Sequence, residues 1–199
     1  MMTIEGLFGA GDAVGGTPHA FSSGSFTEGR LAAKAACKYI DDGKGENIKV
    51  TSATLEKLKK EIFKPMEHYK LYRNEIVAGS VNPHYHNPRQ FLDRLQKLMD
   101  EYCAGLTVNY MTNEKLLNIG LKKLAIMEED LEKIAAEDLH ELLRAWEVKH
   151  RHRTSECVMQ HTLFRKETRW PGYYYRGDVM KLDDENWHVL TVSRRDPET

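Results

Sequence analysis

No stretch of the 199-residue chain approaches the roughly 18 consecutive apolar residues of a membrane-spanning helix. The first residues also lack a basic segment followed by an apolar one, so no signal peptide shows. Cysteine is scarce: Cys37, Cys103 and Cys157 are odd in number and far apart. No Cys-x-x-Cys pair occurs, which leaves the chain without a zinc-ribbon or iron–sulfur ligand set of its own. Dispersed thiols fit a reduced, cytoplasmic protein better than a disulfide framework. A surplus of either charge is missing too. With 29 basic and 30 acidic residues the formal net charge is −1, which gives no reason to expect nucleic acid or a membrane surface as main partner. Also absent is the strand, Gly-x-Gly-x-x-Gly and helix that open a dinucleotide-binding fold.

What the chain does have is concentrated in residues 6–30, reading GLFGAGDAVGGTPHAFSSGSFTEGR. A short apolar run, Gly6-Leu7-Phe8-Gly9-Ala10, leads into the turn Gly11-Asp12-Ala13-Val14-Gly15-Gly16. A small-residue loop follows, and from about Phe26 the pattern turns helical through Leu31 and Ala32 to Cys37. The order is strand, loop, helix. Glycine lets backbone approach a ligand closely. A helix start offers unpaired N–H groups and a positive dipole end to an anionic or electron-rich group. Ser22, Ser23 and Ser25 can cap that helix or donate to a ligand. An ionised Asp12 at a strand end can accept from two sugar hydroxyls. An ordinary strand-to-helix loop is the alternative.

Glycine thins and charge rises after residue 41, marking a boundary, with residues 42–51 as a polar connection. Thr51 and Ser52 can cap a helix with Leu55, Leu58, Ile62 and Phe63 on one face, ending near Pro65. Two prolines and two asparagines make residues 81–88 a loop, with Pro88 at a first helical position capped by Asn87. Phe91, Leu92, Leu95, Leu98, Met99 and Tyr102 form an apolar stripe that Gly105 stops. Further helices are expected from Thr112 or Asn113, and from near Ala136 to about Phe164. Helices longer than their connections suggest an antiparallel bundle. The tail is aromatic, Trp170-Pro171-Gly172-Tyr173-Tyr174-Tyr175, and residues 187–192 read as a strand. No internal repeat shows.

Other clusters are less specific. His84 and His86 could ligate a metal, but no carboxylate or third histidine stands beside them in this Pro-rich loop. His150, Cys157 and His161 could share a helix face, yet Lys149, Arg151 and Arg153 interleave and repel a cation. The run Lys149-His150-Arg151-His152-Arg153 reads as a solvated face or a contact for an acidic partner rather than a nucleic-acid site.

The first stretch, with its GLFGAGDAVGG, SSGSF and small-residue helix, resembles the last FAD-contacting segment of the fumarate reductase/succinate dehydrogenase flavoprotein superfamily. That resemblance implies that Asp12 holds the flavin's ribityl chain and that backbone at Ser22, Ser23, Gly24, Ser25 and Phe26, with Gly11, faces the cofactor. It implies His19 or Phe21 near the flavin or adenine. Succinate and fumarate enzymes carry Asn-Arg-Leu-Gly-x-Asn-Ser-Leu here. Aligned on Ser25, their dicarboxylate-binding arginine falls on Ala20, which argues against a dicarboxylate substrate. The tail FRKETRWPGYYYRGD (residues 164–178) resembles the superfamily's Arg-x-Glu-Ser/Thr-Arg-Gly-x-x-Tyr-Arg-x-Asp/Glu element, with Arg169 and Arg176 in matching places and Trp170-Pro171-Gly172-Tyr173-Tyr174 replacing the usual small residues. Together with HAFSSGS and NPRQFLDRLQKLMDEYCAG it is similar to the α subunits of dissimilatory adenylylsulfate reductases, over nearly the whole chain.

The resemblance implies a mostly α fold. Residues 1–41 would close an FAD-binding α/β domain, 42–168 a helical-bundle domain, and 169–199 a short β and aromatic tail. It implies a fragment of a larger enzyme reducing adenylylsulfate to sulfite and AMP, or the reverse, through a flavin N5–sulfite adduct. Electrons would come from iron–sulfur clusters carried only by a partner β subunit. Arg169 would hold the tail or add positive charge near the site, with a structural salt bridge as alternative. The rivals are another oxidoreductase of the superfamily, or a free-standing helical module that kept a decayed flavin loop.

Overall fold

The residues described by the computed structural model are 2, 4–14, 22–45, 50–75, 82–169 and 173–194. They gather into two units, Met1–Glu56 and Lys57–Thr199.

In the first unit, Ala10 is extended (φ −154°, ψ 159°) and leads into a 3-10 turn, Gly11–Ala13. The expected strand forms no ladder among the described residues. A strand needs a neighbour's N–H and C=O groups. Here Met2 N–H donates to the Leu7 carbonyl (2.8 Å) and Leu7 N–H to Ile4 (3.2 Å), closing a local turn instead. Helix α1, Ser22–Asp41, starts four residues before Phe26. Small polar residues carry no apolar stripe to announce a helix, so periodicity misses its first turn. Its end is closed by Gly43 N–H on the Ile40 carbonyl (2.9 Å) and Lys44 N–H on Tyr39 (3.1 Å), the paired bonds of a Schellman motif. Phe8 packs edge-on against Tyr39 (5.9 Å), whose hydroxyl donates to Glu5 (3.1 Å).

Helix α2, Ser52–Tyr72, continues past Pro65, where the sequence led us to expect an end. Proline removes one N–H from a helix interior. Tertiary bonds flank the site: the Trp146 indole donates to the Ile62 carbonyl (3.0 Å), and Ala136 N–H donates to the Pro65 carbonyl (3.0 Å). Pro65 itself is buried, so packing outweighs the local break.

Helices α3 (Pro88–Tyr102), α4 (Glu114–Leu131) and α5 (Leu139–Phe164) form the bundle of the second unit. Its core joins Phe91, Leu95, Leu98, Leu117, Leu124 and Met159, among others. Asn87 and Gln90 form a reciprocal capping box around Pro88 (2.8 and 3.0 Å). Asn113 and Asp138 cap α4 and α5 in the same way as single acceptors. Gly120 marks the tightest crossing: a Cβ there would stand 2.8 Å from Met159 Cε and 2.9 Å from Tyr102 Cβ.

Strand β1, Met111–Thr112, pairs in parallel with β2, Tyr175–Arg176, pinning the tail to the bundle. The tail also corrects an expectation. Residues 184–187 form a short helix, α6 (Asp184–Trp187), and no strand occupies 187–192. The Arg165 guanidinium takes the carbonyls of Trp187 (2.7 Å) and Val189 (2.6 Å), so side-chain donors hold this segment in place of a neighbouring backbone.

Candidate functional site

In the first unit, Gly11 lies in the left-handed region (φ +65°), and a Cβ there would stand 3.1 Å from Ser25 Oγ and 3.3 Å from Ser25 Cβ. Glycine therefore serves both the conformation and the close approach of turn to helix. The Gly11 N–H donates to Glu28 Oε2 at 2.7 Å, tying the turn to α1 a second time. Asp12 follows on the open side. It is exposed, and its carboxylate has no hydrogen-bond partner among the described residues. Ser22 and Ser23 are exposed, Gly24 and Ser25 half-buried, and Phe26 is 81% exposed. No acidic side chain stands in the first turn of α1 to occupy its N–H groups. The fold thus brings Gly11, Asp12 and the α1 start together. His19 and Phe21 lie outside the described residues. Sequence reasoning passed over Glu28, although it lies one helical turn beyond Ser25 on the same side.

Arg169 belongs to an ion network in the second unit. It reaches Glu167 through Nε (2.5 Å) and Nη2 (2.9 Å), and Asp184 through Nη1 (2.9 Å). Glu167 is fully buried and also accepts from Arg165 (2.6 Å) and from Asp183 N–H (2.9 Å). Burial alone would raise its carboxyl, but the bonds from Arg169, Asp183 and Arg165 outweigh that and hold it down at about 2. Arg176, equally buried, grips Asp178 with two nitrogens (2.9 and 2.8 Å) and donates to the α5 carbonyls of Thr162 and Leu163 and to Arg165. The Arg176 bond holds Asp178 down at about 2.

The histidines disperse. His84 meets Glu75 (2.7 Å) and stacks on Tyr72, while His86 faces Asp130 at 3.7 Å. His150 tilts toward Trp146, and His161 is on the last turns of α5. Among the described residues no three His, Cys, Asp or Glu side chains are grouped to hold a metal ion. The basic run is only partly a solvated face. His152 is buried, with its Nε2–H donating to the Leu124 carbonyl (2.9 Å), and Arg153 pairs with Glu128 and Glu156. Burial pushes the Cys103 thiol up to about 11, away from thiolate chemistry.

Residues 92–199 match the family described as fumarate reductase flavoprotein C-term. The chain belongs to this flavoprotein family. It is 42% identical over 197 residues to the adenylylsulfate reductase subunit alpha of Megalodesulfovibrio gigas, covering 99% of this chain and 29% of that one. It superposes on the adenylylsulfate reductase of the hyperthermophilic Archaeoglobus fulgidus with a TM-score of 0.83 at 55% identity, covering 89% of this chain and 28% of that one. A structure of adenosine-5-phosphosulfate reductase carrying sulfite as a covalent adduct matches with the same TM-score at 54% identity, again over 89% and 28%. The chain therefore spans less than a third of the length of these relatives. Among the described residues no helix is long and apolar enough to cross a membrane.

The turn fits the cofactor that the family name implies. Gly11 leaves no side chain between turn and helix, Asp12 offers an exposed acceptor for hydroxyls, and the first turn of α1 carries no acidic side chain to compete for its N–H groups.

Proposed function

We propose that the chain is part of the FAD-containing catalytic α subunit of an adenylylsulfate reductase, which converts adenylylsulfate to sulfite and AMP or runs the reverse. The observation that carries this is the likeness to adenylylsulfate reductases: 55% identity and a TM-score of 0.83 over 89% of the chain. When bound, FAD supplies the two-electron chemistry, and the protein binds, orients and shields. In this reading Asp12 accepts hydrogen bonds from the ribityl hydroxyls. The N–H groups at Ser22, Ser23, Gly24, Ser25 and Phe26 face the isoalloxazine, with Gly11 allowing the approach. His19 and Phe21 line the substrate side, where an aromatic ring can stack on the adenine.

Residues 1–41 close the FAD domain, 42–168 form the helical domain and 169–199 the tail. Arg169 serves as a clamp, since its guanidinium is committed to Glu167 and Asp184. In this reading the electron donor is a β subunit that carries the iron–sulfur clusters. Free thiols at Cys37, Cys103 and Cys157 support a cytoplasmic setting.

A dicarboxylate oxidoreductase is the competing reading, and Ala20 in place of the dicarboxylate arginine argues against it. A substrate screen of the holoenzyme separates the two. Ferricyanide reduction that requires both AMP and sulfite is the expected result. Succinate or aspartate oxidation without it overturns the assignment.

A further inference from the structure

A charged acceptor on α1 holds the turn that carries Asp12. Glu28 Oε2 takes the Gly11 N–H at 2.7 Å from a half-buried position, in the second turn of the helix. Gly11 populates left- and right-handed backbone about equally when free, so its φ of +65° has to be selected by something outside the residue. A carboxylate fixed on a helix does this: its hydrogen bond forms only when the N–H points at α1. The same conformation brings Gly11 against Ser25. The direction of Asp12, the next residue, follows from the dihedrals so selected. Glu28 has no place among the groups that face a ligand; it acts through Gly11.

We propose that Glu28 is a positioning residue for the flavin grip, holding Gly11 in its left-handed conformation so that Asp12 is aimed at the ribityl hydroxyls. This rests on the reading that Asp12 binds FAD.

The test is the FAD dissociation constant of the holoenzyme, stripped and reloaded, for wild type, Glu28→Ala, Glu28→Gln, Asp12→Ala and the double variant Asp12→Ala/Glu28→Ala. The melting temperature of each flavin-free form is measured beside it. Glu28→Ala is expected to weaken FAD about tenfold or more, the scale of a lost charged hydrogen bond, with flavin-free melting unchanged. Glu28→Gln, whose amide oxygen still accepts the Gly11 N–H, recovers most of the affinity. The double variant binds FAD no more weakly than Asp12→Ala alone, because Glu28 acts through Asp12.

Wild-type affinity in Glu28→Ala overturns the proposal. So does a full additional loss in the double variant, or a lowered melting temperature that glutamine does not restore. If Asp12→Ala itself binds FAD like wild type, the reading of Asp12 fails, which is a separate outcome. Where Glu28→Ala does not fold, Glu28→Asp decides: withdrawing the acceptor by one methylene weakens FAD several-fold while glutamine does not, and equal binding in the two variants overturns the proposal.

Discussion

At the scale of single residues, two carboxylates carry opposite duties. Asp12 is exposed and without a partner among the described residues, which suits a group that waits for ligand hydroxyls. Asp12→Ala in the holoenzyme should weaken FAD binding by about 1–3 kcal/mol, the range for a hydrogen bond to a charged group; fluorescence titration of the flavin reads it. Glu167 is the reverse case, fully buried and saturated by Arg165, Arg169 and the Asp183 N–H. Its carboxyl lies at about 2 when folded, against about 4.3 in an unfolded chain. A depressed carboxyl contributes stability that is complete above the unfolded value and is lost as pH falls through the folded one. Asp178, also at about 2, acts in the same sense. The protein should therefore lose stability between about pH 4.5 and pH 2. Glu167→Gln should cost about 2–3 kcal/mol at neutral pH and flatten that acid slope. Urea midpoints measured across the window check both; a parallel-shifted curve with an unchanged slope would place the acid sensitivity elsewhere.

At the scale of elements, the bundle was written plainly in the chain. Asn87-Pro88 announced the start of α3, and the stripe from Phe91 to Tyr102 gave its buried face. Asn87→Ala should lower stability by about 1 kcal/mol through loss of the capping box, read as a shift in the thermal midpoint with the slope of the transition retained. Where sequence reasoning erred, tertiary partners had replaced the local rule. Pro65 did not end α2: it is buried there, and Trp146 and Ala136, more than 70 positions away, bond to the Ile62 and Pro65 carbonyls. Residues 187–192 read as a strand, yet the guanidinium of Arg165 holds them and no neighbouring strand is present among the described residues. His152 sits inside a basic run but turns inward to Leu124, a direction set by helical phase that charge counting ignores. The candidate site was half legible. Glycine, aspartate and serine spacing marked Gly11, Asp12 and Ser25, whereas Glu28 shows only once the turn is seen lying against α1.

At the scale of the whole molecule, the chain covers under a third of its adenylylsulfate reductase relatives. It supplies a glycine turn held against α1 in one unit and a helical bundle with an ion-clamped tail in the other. Because the chain covers so little of those relatives, function is tested on the holoenzyme. The most direct test of the account is the flavin absorbance spectrum of oxidised holoenzyme titrated with sulfite, and in parallel with succinate. The account predicts that sulfite perturbs and bleaches the flavin band to saturation while succinate leaves it unchanged. A flavin band that succinate reduces and sulfite leaves untouched would contradict it.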